Sequence, residues 1–191
     1  MYGPFRYQAT AGDCFPTSMV NALAALHPSD QIPSAVVQWI YLYALDVASP
    51  VSGGTSDTAA SVLAHWLSRF GRGRFRVHAE VLRNEQVHLG PNNRISRHLE
   101  RGGVAVCDIK CERDGWHSVL ALHRDARWVY FWDPRFRSRA LRSTHRAEVL
   151  EPGTLAEPNL RIERSWLARS SSKPFTFGPS ADRLVILVGR R

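Results

Sequence analysis

Lysine is almost missing from this chain. Only two of its 25 basic residues are lysines, Lys110 and Lys173, so arginine carries nearly all of a net charge of +8. Clusters of arginine attract acidic polymers, and an acidic substrate would be favoured by such a charge. No nucleic-acid-binding motif accompanies the clusters, so we expect no nucleic-acid partner and interpret them as a solvated basic face. The clusters are Arg69, Arg72, Arg74 and Arg76, and Arg135, Arg137, Arg139, Arg142 and Arg146.

Cysteine is also scarce. The chain has three cysteines, and an odd number argues against a disulfide framework. This composition is typical of a reducing compartment, where thiols stay free. A free thiol is also what a catalytic cysteine requires.

Long hydrophobic runs are absent as well. No apolar stretch approaches the roughly 20 residues that a membrane-spanning helix needs, and Met1-Tyr2-Gly3-Pro4 does not begin a signal peptide. We therefore expect a soluble cytoplasmic protein without membrane contact, although export by a dedicated secretion system would leave no trace in the sequence. A length of 191 residues with 44% hydrophobic content is enough for one domain, which we expect to span 1–191.

The hydrophobic pattern predicts helices first and strands afterwards. This order indicates an α+β fold, with a helical part at about 14–101 and a mostly antiparallel sheet at about 103–191. The segment 151–180 is rich in Pro, Gly and Ser and is interpreted as a long connection. The predicted helices follow Pro16 up to Leu26, then cover 34–47, 56–70 and 93–101, and the predicted strands cover 104–109, 117–123, 127–132 and 184–188, with another at 75–81.

Two of the predicted strands form a hairpin that brings a histidine and an aspartate together. If Asp125 is the centre of the turn, His117 lies directly opposite Asp133. Side chains that are directly opposed have Cβ atoms about 5 Å apart. The Asp133 carboxylate would then accept a hydrogen bond from Nδ1 of His117 and leave Nε2 free to act as a base. A bulge in the turn would change this register.

A cysteine lies at the start of the first predicted helix. Cys14 would therefore feel the positive end of the helix dipole, which lowers the pKa of a thiol. Its own backbone N–H and the side-chain N–H of Gln8 would point toward a developing oxyanion. Together with His117 and Asp133, these residues predict nucleophilic acyl transfer through a cysteine.

The same residues carry a family resemblance. In these motifs the chain resembles the papain-like cysteine peptidases, and it is most similar to the bacteriocin-processing (double-glycine leader) peptidase-like family. The resemblance implies a papain-like fold, Gln8 as oxyanion donor, Cys14 as nucleophile, His117 as base and Asp133 as orienting residue, with no cofactor and no metal. The family usually has glycine after the nucleophile, where this chain has Phe15. The motifs are Gln8-x5-Cys14, Asp13-Cys14-Phe15-Pro16-Thr17-Ser18, His117-Ser118-Val119 and Trp132-Asp133-Pro134.

Our prediction is therefore a bacterial cysteine hydrolase that cleaves peptide or amide bonds in a protein or peptide substrate. Amide transfer or deamidation of the transglutaminase or acyltransferase type is an alternative with the same residues. A catalytically silent peptide-binding module is a second alternative. A zinc site is a third, because four possible ligands are present, although their spacing matches no standard zinc pattern. These ligands are Cys107, Cys111, His117 and His123.

Overall fold

The computed structural model describes residues 4–48, 54–112, 115–137, 140–142 and 146–191. Arg139 of the predicted basic face lies outside these residues. Among the described residues, no helix is long and apolar enough to cross a membrane. The α-helices are α1 (Cys14–Leu26), α2 (Ser34–Ala44), α3 (Asp57–Arg69), α4 (Arg94–Glu100) and α5 (Arg164–Leu167).

The strands form one antiparallel sheet, which confirms the predicted α+β class. In the described residues the order across the sheet is β1-β2-β8-β3-β4-β5-β7-β6. The last strand of the chain, β8, therefore lies inside the sheet between β2 and β3. The strands are β1 (Gly71–Arg72), β2 (Phe75–Arg83), β3 (Val104–Lys110), β4 (Trp116–Arg124), β5 (Trp128–Trp132), β6 (Ala147–Val149), β7 (Leu160–Glu163) and β8 (Leu184–Arg190).

Local signals explain where the helices begin and end. Pro16 occupies the first turn of α1, where the missing N–H of proline costs nothing. Oγ of Ser56 accepts a hydrogen bond from the N–H of Ala59 and caps α3, and the side chain of Asn93 caps α4 in the same way. After α4 the chain reverses through Gly102, whose φ of +79° is a conformation that favours glycine.

Helices cover both faces of the sheet. Alternate residues of the central strands, such as Val106 and Leu120, join the buried side chains of α1, α2 and α3 in one cluster. The intervening residues, such as Cys107 and Val119, join α4 and α5 in a second cluster on the other face. Strand β2 lies within the range predicted as the helical part, yet it joins the sheet through β8, so the two predicted parts are interleaved in space.

The interpretation of 151–180 as a long connection is wrong. This segment contains β7, which pairs with both β5 and β6, and it also contains α5. The reason is that β7 is a short strand whose pairing is decided by distant partners. Its residues Leu160 and Ile162 are fully buried against the sheet, but two apolar positions are too few for a clear periodic signal.

Candidate active site

Three of the predicted site residues lie at one end of the sheet. Cys14 is the first residue of α1, His117 is the second residue of β4, and Asp133 directly follows β5. One helical turn after Cys14, Oγ of Ser18 donates a hydrogen bond of 3.0 Å to the carbonyl oxygen of Ser118. This contact attaches the beginning of α1 to the beginning of β4. The fold thereby joins the first turn of the first helix to a hairpin more than a hundred residues later in the chain.

His117 and Asp133 form a buried hydrogen-bonded pair. Nε2 of His117 is 2.6 Å from Oδ1 of Asp133, and each side chain is only 1% exposed. A hydrogen bond between two ionised groups is stronger than a neutral one, and water does not screen this pair. The predicted pairing of His117 with Asp133 is therefore present, although the hairpin register and the ring nitrogen involved differ from those predicted.

The predicted register of the hairpin is wrong. Trp132 pairs with Leu120, which is two residues further along β4 than Ser118, its predicted partner. The turn is wider than expected because the carboxylate of Asp125 accepts hydrogen bonds from the N–H groups of Arg127 and Trp128, and a bulge follows between Ala121 and His123. In the observed register, Asp133 is a diagonal neighbour of His117 on the same face. Diagonal neighbours remain within reach of long side chains.

The predicted orientation of the imidazole is wrong as well. Nε2, and not Nδ1, faces Asp133. Nδ1 is buried and has no hydrogen bond to an oxygen or nitrogen atom of the described residues. Since the Cys14 thiol also acts on this ring, Nδ1 is the nitrogen that remains for it. The roles of the two ring nitrogens are therefore the reverse of those predicted. Asp133, which approaches diagonally, bonds to Nε2, and Nδ1 is left for the thiol.

The charges of the pair stabilise each other. Burial by itself would lower the pKa of His117, but the charge and hydrogen bond of Asp133, together with the Cys14 thiol, raise it to about 9. Burial by itself would raise the pKa of Asp133, but His117 and Arg137 lower it to about 2. At neutral pH the pair is therefore an imidazolium and a carboxylate.

The pKa of the Cys14 thiol is lower than that of an ordinary cysteine. Burial by itself would raise its pKa, but the hydrogen bond and the positive charge of His117, with the backbone of Ser118, bring it below the ordinary value. Its position at the start of α1 adds the favourable end of the helix dipole. A thiol whose pKa is lowered by a neighbouring imidazolium is the arrangement that nucleophilic cysteine chemistry needs.

Asp133 is held by more groups than His117 alone. Nε of Arg137 donates to its Oδ2 at 2.6 Å, and the N–H of Arg135 donates to its Oδ1 at 2.8 Å. Asn159 forms a reciprocal pair with the backbone of Asp133, with bonds of 2.6 Å and 2.9 Å. Neither Arg137 nor Asn159 was predicted as a site residue. Asn159 precedes β7 in the segment interpreted as a connection, and no local signal linked it to Asp133.

For Arg137, the interpretation as part of a solvated basic face is wrong. Its side chain is only 9% exposed, because it is buried in ion pairs with Asp133 and Glu112 and its guanidinium lies 5.0 Å from the centre of the Phe175 ring. Asp133, Arg137 and Glu112 therefore form a chain of alternating charges that begins at His117. The one signal in the sequence was the spacing of Asp133 and Arg137 by four residues.

The loop that carries Gln8 is fixed by Asp13. The Asp13 carboxylate accepts hydrogen bonds from the N–H groups of Ala9 and Thr10, at 3.1 Å and 2.9 Å. The N–H of Gln8 donates to the carbonyl oxygen of Pro134 at 2.8 Å, which attaches the loop to the residue after Asp133. The loop is therefore bound both to the start of α1 and to the end of β5, and Gln8 lies close to Asp133 in space.

The side chain of Gln8 is half-buried. Its Nε2 donates to the carbonyl oxygen of Thr10 at 2.6 Å, while its Oε1 is buried and unpartnered within the described part of the chain. An amide nitrogen has two N–H groups, so one donor remains after the bond to Thr10. The role of oxyanion donor stays a prediction for this residue.

A second carboxyl group lies near the thiol. Asp108 of β3 is opposite Ser118 in the sheet, and Oγ of Ser118 donates to its Oδ1 at 2.5 Å. Burial raises the pKa of Asp108 to about 6, and its charge opposes the lowering of the Cys14 pKa. Asp108 was not predicted as a site residue, because it lies inside an apolar strand and has no characteristic motif around it.

Trp116, the residue before His117, is half exposed at the same end of the sheet. The ammonium group of Lys110 lies 3.9 Å from the centre of its ring. A Cβ atom on Gly178 would be 2.8 Å from the ring, so only glycine allows the indole to lie there. Trp116 is therefore held in place beside the candidate base.

The predicted zinc ligands do not form a metal site. Within the described ranges, which include all four of them, no group of three or more His, Cys, Asp or Glu side chains is arranged to hold a metal ion. Cys107 is fully buried in the apolar cluster with a raised pKa, and His123 stacks on Tyr130 with ring centres 4.4 Å apart.

Comparison with known proteins does not assign the chain to a family. No protein-family model matches it. No curated protein matches it either.

Proposed function

We propose that this chain is a cysteine hydrolase of papain-like fold that cleaves peptide or amide bonds. The observation that supports this most strongly is that Cys14, His117 and Asp133 lie together at one end of the sheet. The buried pair of His117 and Asp133 raises the basicity of the imidazole, and this imidazole lowers the pKa of a thiol at the start of α1. An imidazolium buried beside a carboxylate is expensive to build for structural purposes alone, since burial opposes its charge.

The proposed reaction uses each group in turn. The Cys14 thiolate attacks the carbonyl carbon of the substrate and forms a tetrahedral oxyanion. The N–H of Cys14 and the free N–H of Gln8 stabilise the oxyanion, since the first N–H groups of an α-helix have no acceptor within the helix. His117 gives its Nδ1 proton to the leaving amine, and the C–N bond breaks. A water molecule, deprotonated by the same nitrogen, then hydrolyses the thioester and releases the acid.

The role of Asp133 is to orient the ring throughout this cycle. Its bond to Nε2 keeps Nδ1 directed toward the thiol, and its charge stabilises the imidazolium. Asp133 does not take up the proton, because its pKa of about 2 is far below that of the imidazole.

A Cys14→Ala variant tests the proposal. We expect it to lose all hydrolysis of peptide substrates and all labelling by a peptidyl acyloxymethyl ketone probe, with an unchanged far-ultraviolet circular dichroism spectrum. Cys107→Ala is the matched control, because this thiol is buried in the apolar core and its pKa is raised. Hydrolysis that persists in Cys14→Ala would refute the proposed mechanism, and so would a well-folded Cys107→Ala variant without activity.

A further inference from the structure

The carboxylate of Asp108, near the thiol, has one oxygen that the protein leaves unused. Its Oδ1 accepts the hydrogen bond of 2.5 Å from Oγ of Ser118, the residue opposite it in β4. In the part of the chain that the structure describes, no donor reaches its Oδ2, yet this atom is not among the buried polar atoms that lack a partner. Oδ2 is therefore open to solvent, in a residue that is only partly exposed.

The carboxylate and the thiol lie on two sides of Ser118. The backbone of Ser118 lowers the pKa of the Cys14 thiol, while its side chain bonds to Asp108. Residues that are opposite each other in a sheet point to the same face, and here that face packs against α1, which begins at Cys14. The strand spacing and the single helical turn between Ser18 and Cys14 together place the carboxylate roughly 10 Å from the sulfur.

No cation of the protein neutralises this carboxylate. Within the described ranges, Asp108 forms no ion pair, although the chain has 25 basic residues. Lys110, two residues later in β3, lies over the ring of Trp116 instead, and Arg83 is paired with Asp57. Burial, with the charge of Asp57, raises the pKa of Asp108 to about 6, so this group is mostly ionised at neutral pH. A partly buried carboxylate without a cation is costly, and a positively charged ligand would remove that cost.

We propose that Asp108 selects substrates with a lysine or arginine side chain close to the scissile bond. This inference rests on the proposed hydrolase function, because it assigns the specificity of the same site. An extended peptide advances about 3.3 Å per residue, so a long cationic side chain within two residues of the bond attacked by Cys14 reaches the carboxylate. Its N–H groups donate to Oδ2, while Oδ1 keeps its bond from Ser118.

A bound cation would also affect the nucleophile. The negative charge of Asp108 opposes the lowering of the Cys14 pKa. A lysine or arginine side chain neutralises that charge, so a substrate that fits the site makes the thiol ionise more readily. The net charge of +8 favours an acidic substrate as a whole, whereas the charge of Asp108 favours a basic residue beside the bond that is cut.

A library of internally quenched peptides tests the proposal. Each position in turn carries arginine or its uncharged isostere citrulline, and mass spectrometry identifies the bond that is cut. At one position within two residues of that bond, we expect kcat/KM to be at least about tenfold higher for arginine than for citrulline. Equal values at all these positions would overturn this inference and leave the hydrolase proposal intact, whereas a failure to cleave any peptide would overturn both.

The Asp108→Asn variant separates charge from structure. Asparagine keeps an oxygen for the bond from Ser118 and removes the negative charge. We expect the preference for arginine to fall below about twofold, with kcat/KM for the citrulline peptide and the far-ultraviolet circular dichroism spectrum unchanged. Iodoacetamide should modify Cys14 at least as fast as in the parent protein, because the charge that opposes ionisation of the thiol is gone.

Asp30→Asn is the matched control for the loss of one negative charge. Asp30 is exposed and lies beyond the far end of α1, so it is roughly 20 Å or more from Cys14. We expect this variant to keep the preference of the parent protein. A preference that persists in Asp108→Asn, or that falls equally in Asp30→Asn, would refute the role of Asp108. Slower modification of Cys14 in Asp108→Asn would refute it as well, because it would indicate a structural role.

Discussion

Arg137 competes with His117 for one carboxylate, and its removal should raise the pKa of His117. Arg137 binds Oδ2 of Asp133 and His117 binds Oδ1, each at 2.6 Å. The two cations therefore share one negative charge and repel each other across it. We consider Arg137→Met, because methionine keeps a long apolar side chain against Phe175 and removes only the charge and the hydrogen bonds.

The geometry sets the size of the effect. Two cations on the two oxygens of one carboxylate are about 7 Å apart, and at an effective dielectric constant of about 20 they repel each other by about 2 kcal/mol. Loss of this repulsion raises the pKa of the imidazole by up to about 1.5 units. The same substitution removes one partner of a buried ion pair, so we also expect a loss of about 3–5 kcal/mol in the free energy of unfolding.

Glu112→Gln is the matched variant with the opposite sign. Glu112 is partly exposed and neutralises Arg137 from the outside, at 3.2 Å. Without it, Arg137 acts more strongly on Asp133, and the pKa of His117 falls by a few tenths of a unit. A residue that only supports the fold would not produce opposite shifts in the two variants.

The assay is nuclear magnetic resonance titration of protein labelled with ¹³C on the histidine rings. The His117 signal is assigned by its loss in His117→Gln. We expect its midpoint near 9 in the parent protein, higher in Arg137→Met and lower in Glu112→Gln. A midpoint that is unchanged in both variants, or that moves in the same direction in both, would refute the reasoning.

Two further predictions concern the Gln8 loop and the pH dependence of stability. Asp13→Asn should weaken the hydrogen bonds to the loop and lower kcat about tenfold or more, with little change in the thiol pKa. Gln8→Ala should lower kcat by about 10²–10³ through loss of an oxyanion donor. Steady-state kinetics on a peptide substrate measure both effects, and an unchanged kcat in Gln8→Ala would contradict the role of Gln8. The raised pKa of His117, about 9, means that its contribution to stability is complete below about pH 6.5 and is lost as the pH rises to 9. The lowered pKa of Asp133, about 2, means that its contribution is complete above about pH 4 and is lost as the pH falls to 2. Urea denaturation across this pH range should therefore show a loss of stability between pH 6.5 and 9 that is smaller in His117→Gln, and an equal loss in that variant would contradict the assignment.

The elements that could be predicted from the sequence are those whose structure depends on neighbouring residues. The start of α1 near Cys14 and the cap of α3 follow from local signals, and the observed elements confirm them. The hairpin of β4 and β5 was also predicted from its own pattern of apolar residues. These predictions placed the thiol, the imidazole and the carboxylate on the correct elements.

The details that depend on distant residues were not predictable in this way. The register of the hairpin depends on hydrogen bonds of the Asp125 carboxylate and on a bulge, and both change the pairing without changing the apolar pattern. The burial of Arg137 depends on Glu112 and Phe175, which approach it from other parts of the sequence. A charged residue in an arginine-rich segment is normally solvated, so its role became visible only in the folded chain.

The most direct test of the central claim is the rate at which iodoacetamide modifies Cys14 at about pH 6, measured by intact mass and peptide mapping. An ordinary thiol, with a pKa near 8.5, is less than about 1% ionised at this pH and reacts slowly. Our account predicts rapid modification at Cys14 alone, and a loss of at least about tenfold in this rate in His117→Ala. A slow reaction in the parent protein, or an equal rate in the two proteins, would contradict it.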